Sequence, residues 1–243
     1  MDLKKEAARL AYSLVENHRS IGLGDGTSVQ HLAAYLLTGI RGGLEVSLYT
    51  SSSTTERFLQ DSGLTVNDIA QTDYLDQYFD GCDQVDEQLN VLKSGSGIHT
   101  REKLLASMAK HFIILADESK WVREFNPRFP LVLEVIPGAE KFVSKKILSL
   151  YPGSSTSIRK STDNENIRLN TRNGNYLIEC WFPEWPDLVF IQRQMRQITG
   201  VVEISLFYQM VNDAFVAGEN GIYRYQRENE QVVLISKTPL QSE

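Results

Sequence analysis

The densest group of polar side chains in this sequence lies between residues 80 and 103. Asp80 and Asp83 are three residues apart and directly follow a short apolar pair. Lys93 and Glu102 come next along the chain. A carboxylate acts as a general base only if its pKa is raised toward the working pH, and a nearby lysine stabilises a developing oxyanion. Brought together around one cavity, these four side chains could move a proton on a carbon next to a carbonyl group.

The same residues also fit a solvated acidic loop followed by an ordinary helix start. Clusters of charged side chains usually lie on the surface, so composition alone favours this second interpretation. The residue types by themselves leave both interpretations open.

A glycine-rich turn near the start of the chain is a second candidate site. The run Gly24-Asp25-Gly26-Thr27-Ser28 combines backbone N–H groups and two hydroxyls at a predicted helix N-terminus, which suits an anion. It lacks the lysine of a Walker A loop and the full G-x-G-x-x-G fingerprint. The carboxylate of Asp25 would repel a phosphate, and Ser28 could simply cap the helix. Anion binding and capping therefore both stay open.

The composition argues against several other classes of function. The 243 residues carry 25 basic and 31 acidic side chains, a net charge of −6, which is unlike a general nucleic-acid binder. Cys82 and Cys180 form no CxxC pair, and the histidines show no HxxxH or HExxH spacing, so we expect no disulfide framework and no metal site. No run approaches the ~18–20 apolar residues of a membrane span, and the start has no signal-peptide core. We expect a soluble, cytoplasmic protein that binds neither nucleic acid nor membrane.

Alternating helices and strands must position the polar residues. Apolar periodicity predicts helices over residues 3–15 and 28–37, and strands over residues 21–23, 44–49 and 112–116. Asp2 is the predicted N-cap of the first helix. Repeated β–loop–helix units favour right-handed crossovers and a Rossmann-like, largely parallel sheet with flanking helices in an α/β fold. Such open sheets bind ligands at the carboxyl ends of their strands.

The pattern changes near residue 125. Strands over residues 131–136, 176–181 and 201–207, with helices over 139–150 and 188–198, predict a β–α–β–β–α–β-like unit, which is a ferredoxin-like α+β domain. Later strands, over residues 214–217, 221–225 and 232–235, would return to the first sheet. We therefore predict an α/β catalytic domain of residues 1–128 and 204–243, and a smaller α+β domain of residues 129–203.

In this order the motifs resemble those of type A ribose-5-phosphate isomerases over nearly the whole chain. Several separated motifs in one order are far more specific than any single motif. The resemblance rests on the Gly24 to Ser28 loop, the Ser51 to Glu56 loop, Asp80-Gly81-x-Asp83, Lys93 with its small-residue turn, Thr100-Arg101-Glu102-Lys103, Ala116-Asp117-x-Ser119-Lys120, Glu134-Val135-Ile136-Pro137, Asn173-Gly174-Asn175 and Gly200-Val201-Val202.

The resemblance implies an aldose–ketose isomerase of the non-oxidative pentose phosphate pathway, which interconverts ribose 5-phosphate and ribulose 5-phosphate through an enediolate. It implies that Glu102 is the general base and that Asp80, Asp83 and Lys93 shuttle protons between the sugar oxygens and steady negative charge. It also implies a homo-oligomer (dimer or tetramer) with no metal and no cofactor. The substrate-binding positions implied are Asp25, Gly26, Thr27, Ser28, Gly81, Cys82, Ser94, Gly95, Ser96, Lys120 and Lys4.

The sequence departs from the family pattern at four places. Asp25 replaces the first threonine of the usual G-T-G-S-T loop, and Ser52 replaces the aspartate of the S-S-D-A-S-T-E loop. The run Ser94-Gly95-Ser96 replaces three glycines, and Gln84 replaces an acidic residue. These changes spare the four catalytic candidates, but most of them touch substrate-holding loops. Two alternatives therefore stay open, an isomerase of a different sugar or sugar phosphate and a non-catalytic sugar-phosphate-binding paralogue.

Overall fold

A computed structural model describes residues 2–161, 167–229 and 231–240 of the chain. Within these residues the chain forms six α-helices and fifteen β-strands. The helices are α1 (Leu3–Tyr12), α2 (Thr27–Arg41), α3 (Ser53–Asp61), α4 (His99–Met108), α5 (Glu140–Leu150) and α6 (Leu188–Arg196). The strands are β1 (Arg19–Leu23), β2 (Val46–Thr50), β3 (Leu75–Asp80), β4 (Gln84–Asp86), β5 (Val91–Leu92), β6 (Ala109–Asp117), β7 (Trp121–Val122), β8 (Leu131–Val135), β9 (Ser155–Ile158), β10 (Tyr176–Trp181), β11 (Val201–Ile204), β12 (Leu206–Phe207), β13 (Asp213–Gly218), β14 (Gly221–Glu228) and β15 (Gln231–Thr238).

The largest sheet has seven strands in the order β15-β14-β13-β6-β3-β1-β2. The strands from β13 to β2 run parallel to their neighbours, and β14 and β15 add an antiparallel edge. Parallel neighbours need crossover connections, which α2, α3 and α4 supply. The predicted Rossmann-like, largely parallel sheet is confirmed, as is the return of the last strands to it.

Two of the helices that lead toward the site begin at polar capping residues. The carboxylate of Asp2 accepts hydrogen bonds from the backbone N–H groups of Lys4 and Lys5 at 3.0 and 3.3 Å, as predicted for the start of α1. The hydroxyl of Ser52 caps α3 by accepting from the N–H of Thr55 at 3.2 Å. The first cap places Lys4 in the opening turn of α1.

Apolar side chains cover both faces of the central sheet. Neighbouring residues of a strand point to opposite faces, so Tyr78 and Phe79 of β3 enter different core clusters. Phe79 packs with Leu23 and Leu32 beneath α1 and α2, and Tyr78 packs with Phe112 on the other face. All five side chains are fully buried, so the strands that end at the polar residues are firmly held.

A four-stranded antiparallel sheet in the order β11-β8-β10-β9 forms the smaller α+β unit. Its elements follow one another as β8-α5-β9-β10-α6-β11, which is the predicted ferredoxin-like succession. The exact ranges of the two domains stay a prediction. Residues 1, 162–166, 230 and 241–243, which those ranges include, lie outside the described residues.

A third sheet, in the order β12-β5-β4-β7, joins the other two and was not predicted. The prediction of one strand over residues 201–207 is wrong, because the chain passes from β11 to β12 at Ser205. The backbone N–H of Ser205 donates to the carbonyl of Val132 at 2.8 Å, and its carbonyl accepts from the N–H of Lys93 at 3.0 Å. Ser205 therefore links the α+β unit to the strand that leads into Lys93.

Candidate active site

The predicted site residues converge at the carboxyl ends of β1 and β3, around a cavity of about 230 Å³. Every residue that lines the cavity was predicted as a site residue. Asp80, Ser94 and Gly95 are the predicted residues that do not line it. The lining residues are Lys4, Asp25, Gly26, Thr27, Ser28, Gly81, Cys82, Asp83, Lys93, Ser96, Glu102 and Lys120.

The ammonium group of Lys93 lies at the centre of the charged groups. It donates a hydrogen bond to the carbonyl of Gly81 at 2.7 Å, and it lies 2.9 Å from Oδ2 of Asp80 and 3.2 Å from Oε1 of Glu102. The side chain is only 6% exposed. Burial opposes its charge, but the carboxylates of Asp80 and Glu102 outweigh burial and raise the pKa of Lys93 above its ordinary value. Lys93 is therefore a permanent cation at working pH.

Asp80 is fully buried and its oxygens are occupied by donors. Its Oδ1 accepts from the N–H of Gly81 at 2.7 Å and the N–H of Asp25 at 3.2 Å, and its Oδ2 accepts from the hydroxyl of Tyr78 at 2.8 Å. Gly24 passes so close that a Cβ there would lie 2.0 Å from Oδ1, so any other residue at this position would displace the carboxylate of Asp80. Since Asp80 does not line the cavity, its geometry suits holding Lys93 better than reaching a ligand.

Asp83 is half-buried and faces the cavity. Its Oδ2 accepts a hydrogen bond from the N–H of Gly95 at 2.8 Å. Of the two aspartates in the Asp80-Gly81-x-Asp83 motif, Asp83 is thus the one that can meet a bound ligand.

Glu102 lies in the first turn of α4, is fully buried and lines the cavity. Among the described residues, neither of its oxygens has a hydrogen-bond partner, and its contact with Lys93 is an ion pair only. Burial raises its pKa to about 8, the negative charges of Asp80 and Asp25 act in the same direction, and Lys93 opposes them. A buried carboxylate with Lys93 beside one of its oxygens and such a pKa is suited to general-base catalysis near neutral pH.

The glycine-rich turn forms the other end of the cavity. Gly26 has a φ of +96° and is the N-cap of α2, without a side-chain cap, so the capping role considered for Ser28 is wrong. Among the described residues, no side chain caps the first backbone N–H groups of α2, so these groups can meet an anion. Lys4 lines the same cavity.

Two of the departures from the family pattern touch each other in this part of the site. The hydroxyl of Ser52 donates to Oδ1 of Asp25 at 2.7 Å, so one oxygen of the carboxylate that faces the anion-binding end is held by the protein. The carboxylate and its hydroxyl partner lie on the loops that follow β1 and β2.

The loop after Lys93 is held from the α+β unit. The guanidinium group of Arg159 donates to the carbonyls of Ser94 and Gly95 at 2.6 and 2.9 Å, and it pairs with Glu179 at 2.8 Å. The carbonyl of Pro130 accepts from the hydroxyl of Ser94 at 2.5 Å. These contacts explain why Ser94 and Gly95 support the cavity without lining it.

The remaining predicted positions lie beside Asp83. The ammonium group of Lys120 donates to the carbonyl of Cys82 at 2.6 Å. Burial raises the pKa of the Cys82 thiol to about 12, so it stays neutral. The sequence reasoning missed Arg159 and Tyr78, which support the site from behind, because a single arginine or tyrosine has no diagnostic spacing. Ser51 belongs to the Ser51 to Glu56 motif, but its contact with the hydroxyl of Tyr78 at 3.2 Å was not predicted.

Comparison with known proteins points to one family. The model of the family described as "Ribose 5-phosphate isomerase A (phosphoriboisomerase A)" matches residues 47–221. The chain belongs to the ribose 5-phosphate isomerase A family. It is 34% identical to ribose-5-phosphate isomerase A of Bacillus mycoides over 228 residues, which cover 93% of this chain and 100% of that protein. It is 32% identical to ribose-5-phosphate isomerase A of Nitrobacter hamburgensis over 229 residues, 93% of this chain and 97% of that protein.

Solved structures of the same family share the fold. Ribose 5-phosphate isomerase A of Methanocaldococcus jannaschii superposes with a TM-score of 0.86 at 29% identity, over 93% of this chain and 99% of that one. A D-ribose-5-phosphate isomerase in complex with phospho-erythronic acid superposes with a TM-score of 0.87 at 27% identity, over 93% of this chain and 100% of that one.

The described ranges lack two features. None of the helices in residues 2–161, 167–229 and 231–240 is long and apolar enough to cross a membrane. Over the same ranges, no three His, Cys, Asp or Glu side chains are grouped so that they could hold a metal ion.

We expect Arg159→Lys to loosen the loop that holds Asp83. A lysine lacks the planar guanidinium fork with which Arg159 donates to both carbonyls while it pairs with Glu179. Losing one hydrogen bond of this kind corresponds to roughly a tenfold change in local opening. Hydrogen–deuterium exchange should therefore show the amide of Gly95 exchanging about tenfold faster. Arg168→Lys, in an arginine that pairs with Glu140 in the same unit, is the matched control. Equal exchange at Gly95 in both variants would contradict the role given to Arg159.

Proposed function

We propose that this protein interconverts ribose 5-phosphate and ribulose 5-phosphate through an enediolate, with Glu102 as the general base. The observation that carries the proposal is the fully buried carboxyl group of Glu102, which faces the cavity 3.2 Å from the ammonium group of Lys93. The family to which the chain belongs supports this reaction, and the phospho-erythronic acid bound by a similar structure supports a sugar phosphate as ligand.

The proposed reaction moves one proton between two carbons. A carboxylate oxygen of Glu102 takes the proton from C2 of the open-chain aldose, and the C–H electrons form a C1=C2 double bond while O1 becomes an oxyanion. The ammonium group of Lys93 stabilises this negative charge. Asp83, which faces the cavity, passes the O2 proton to O1. Glu102 then returns its proton to C1, which leaves a carbonyl at C2 and so the ketose.

In this proposal Asp80 acts from behind the cavity. It is saturated by donors and holds Lys93 at 2.9 Å, so it fixes the cation rather than exchanging protons with the sugar. The phosphate group would meet the N-terminus of α2 at Gly26, Thr27 and Ser28, with Lys4 as the cation on that side. These side chains suffice for the reaction without a metal or a cofactor.

A different sugar is the second candidate substrate, and Asp25 is the observation that favours it. Its carboxylate lines the cavity beside the N-terminus of α2, where its charge would repel a phosphate. The hydroxyl of Ser52 on Oδ1 and the charge of Lys4 both reduce this repulsion. We therefore keep ribose 5-phosphate as the proposed substrate and use free ribose as the comparison.

We also propose that the protein works in the cytoplasm and assembles as a homo-oligomer, a dimer or a tetramer. Both proposals rest on the family to which the chain belongs.

We expect Glu102→Gln to reduce kcat for ribose 5-phosphate by about 10²–10⁴-fold, because an amide cannot take the C2 proton. Ketose formation by the purified variant measures the loss, and its circular dichroism spectrum should match that of the parent protein. Glu140→Gln changes a buried glutamate in the α+β unit and is the matched control, with activity retained. A Glu102→Gln variant with parental kcat, or a parent protein that prefers free ribose, would contradict the proposal.

The pH dependence of kcat/KM should report the ionisation of Glu102. Its pKa lies at about 8, and only the ionised form accepts a proton, so kcat/KM should fall about tenfold for each pH unit below 8 and level off above it. The measurement is an initial-rate series between pH 6.5 and 9. A rate that is flat across this range would mean that no group with a raised pKa limits the reaction.

A further inference from the structure

We propose that Tyr78 is a positioning residue for the reaction: its buried hydroxyl, supported by Ser51, holds Asp80 so that Lys93 stays shared between Asp80 and Glu102. This inference rests on the roles proposed above for Lys93 and Glu102. It concerns residues of β3 and of the loop after β2 that do not line the cavity.

The three side chains form a continuous polar path into the site. The hydroxyl of Tyr78 donates to Oδ2 of Asp80 at 2.8 Å, and Oγ of Ser51 lies 3.2 Å from the same hydroxyl. Because the one proton of the phenol goes to the carboxylate, Ser51 is the donor to Tyr78. All three side chains are fully buried. The path therefore ends at the oxygen that lies 2.9 Å from Nζ of Lys93.

The polar path from Ser51 to Asp80 runs from the end of β2 to β3, and β1 lies between these two strands. A glycine in β1 leaves space for the ring of Tyr78. Gly22 of β1 is the register partner of Tyr78, and a Cβ at this glycine would lie 2.8 Å from the tyrosine ring. The ring itself packs against Phe112 at 5.3 Å between centroids, a contact that a phenylalanine at position 78 would make equally well. Packing therefore accounts for an aromatic ring but not for its hydroxyl.

The hydroxyl has a specific electrostatic consequence. It shares Oδ2 of Asp80 with Lys93 and so lowers the negative charge that Lys93 meets there. Burial, together with the charges of Asp80 and Glu102, raises the pKa of Tyr78 well above its ordinary value, so the hydroxyl remains a neutral donor throughout the working range. Without it, Oδ2 would draw Lys93 away from Glu102.

The hydroxyl of Tyr78 affects the ionisation of Glu102 through Lys93. Among the described residues, the four groups whose interaction with Glu102 shifts a pKa are Lys93, Asp80, Asp25 and Tyr78, while Asp83, Lys4 and Lys120 line the same cavity. Lys93 is the one cation among these four, and it alone favours the ionised carboxylate. Moving Lys93 toward Asp80 therefore makes Glu102 harder to ionise and leaves the developing oxyanion less well stabilised.

The experiment compares Tyr78→Phe with Tyr151→Phe, which removes a hydroxyl that donates to Gln194 at 3.0 Å in the α+β unit. We expect Tyr78→Phe to lower kcat about tenfold and to leave KM within about twofold. We also expect the acid limb of the kcat/KM profile, the range in which kcat/KM falls as the pH is lowered, to move to higher pH by about half a unit. Tyr151→Phe should leave all three unchanged. A Tyr78→Phe protein with the parental kcat and acid limb overturns the inference and leaves the proposed function standing.

A second variant tests the path even if Tyr78→Phe folds poorly. Ser51→Ala should lower kcat and move the acid limb in the same direction but by less, since it removes only the support of the Tyr78 hydroxyl. Because Ser51 acts through Tyr78, the double variant should be no slower than Tyr78→Phe alone. Additive losses, or a Ser51→Ala protein with parental kinetics, overturn the inference. Absence of turnover in the parent protein would instead overturn the proposed function.

Discussion

The ammonium group of Lys93 is buried between two carboxyl groups, and the rest of the site follows from how its charge is shared. It lies 2.9 Å from Asp80 and 3.2 Å from Glu102, and it is removed from water with both of them. The single positive charge of Lys93 can balance only one of the two buried carboxylates. Because an unbalanced buried charge is costly, the other carboxyl group is easier to protonate. Asp80 has several further donors, whereas the oxygens of Glu102 have none among the described residues. Asp80 is therefore held in place by its donors, and Glu102 is the carboxylate left to bind and release a proton.

This division of roles depends on elements that are far apart in the sequence. The carboxyl end of β3 delivers Asp80, the short strand β5 leads into Lys93, and α4 carries Glu102 in its first turn. Ser205 ties the backbone of Lys93 to the α+β unit, and Arg159 holds the loop that follows. The smaller unit is thus part of the support of the site, although it lines none of the cavity.

Much of this arrangement is predictable from sequence. The helices and longer strands have clear apolar periods, and the capping role of Asp2 follows from its residue type and place. The third sheet is not predictable in this way, because strands such as β5 and β12 have only two residues and show no alternation. The break between β11 and β12 at Ser205 is not predictable either, because an apolar run has the same pattern whether its residues belong to one sheet or to two.

The site residues show a similar limit. Motifs in the right order identify the residues that face the cavity, but they do not separate Asp80, which is saturated and buried, from Asp83, which is open to the cavity. That distinction depends on hydrogen bonds from Tyr78 and Gly95, which only the folded chain brings into place. The Ser52 contact with Asp25 is likewise invisible in the sequence, where the two residues look like unrelated departures.

The most direct test of this account is the ionisation of Glu102 itself. A titration of the side-chain carboxyl carbons of ¹³C-glutamate-labelled protein, with the Glu102 signal assigned by its loss in a Glu102→Gln sample, measures that pKa without any substrate. The shared-lysine arrangement predicts a midpoint at about 8. A midpoint near the ordinary value of 4.5 would mean that Glu102 is fully compensated or solvated, and would contradict the account.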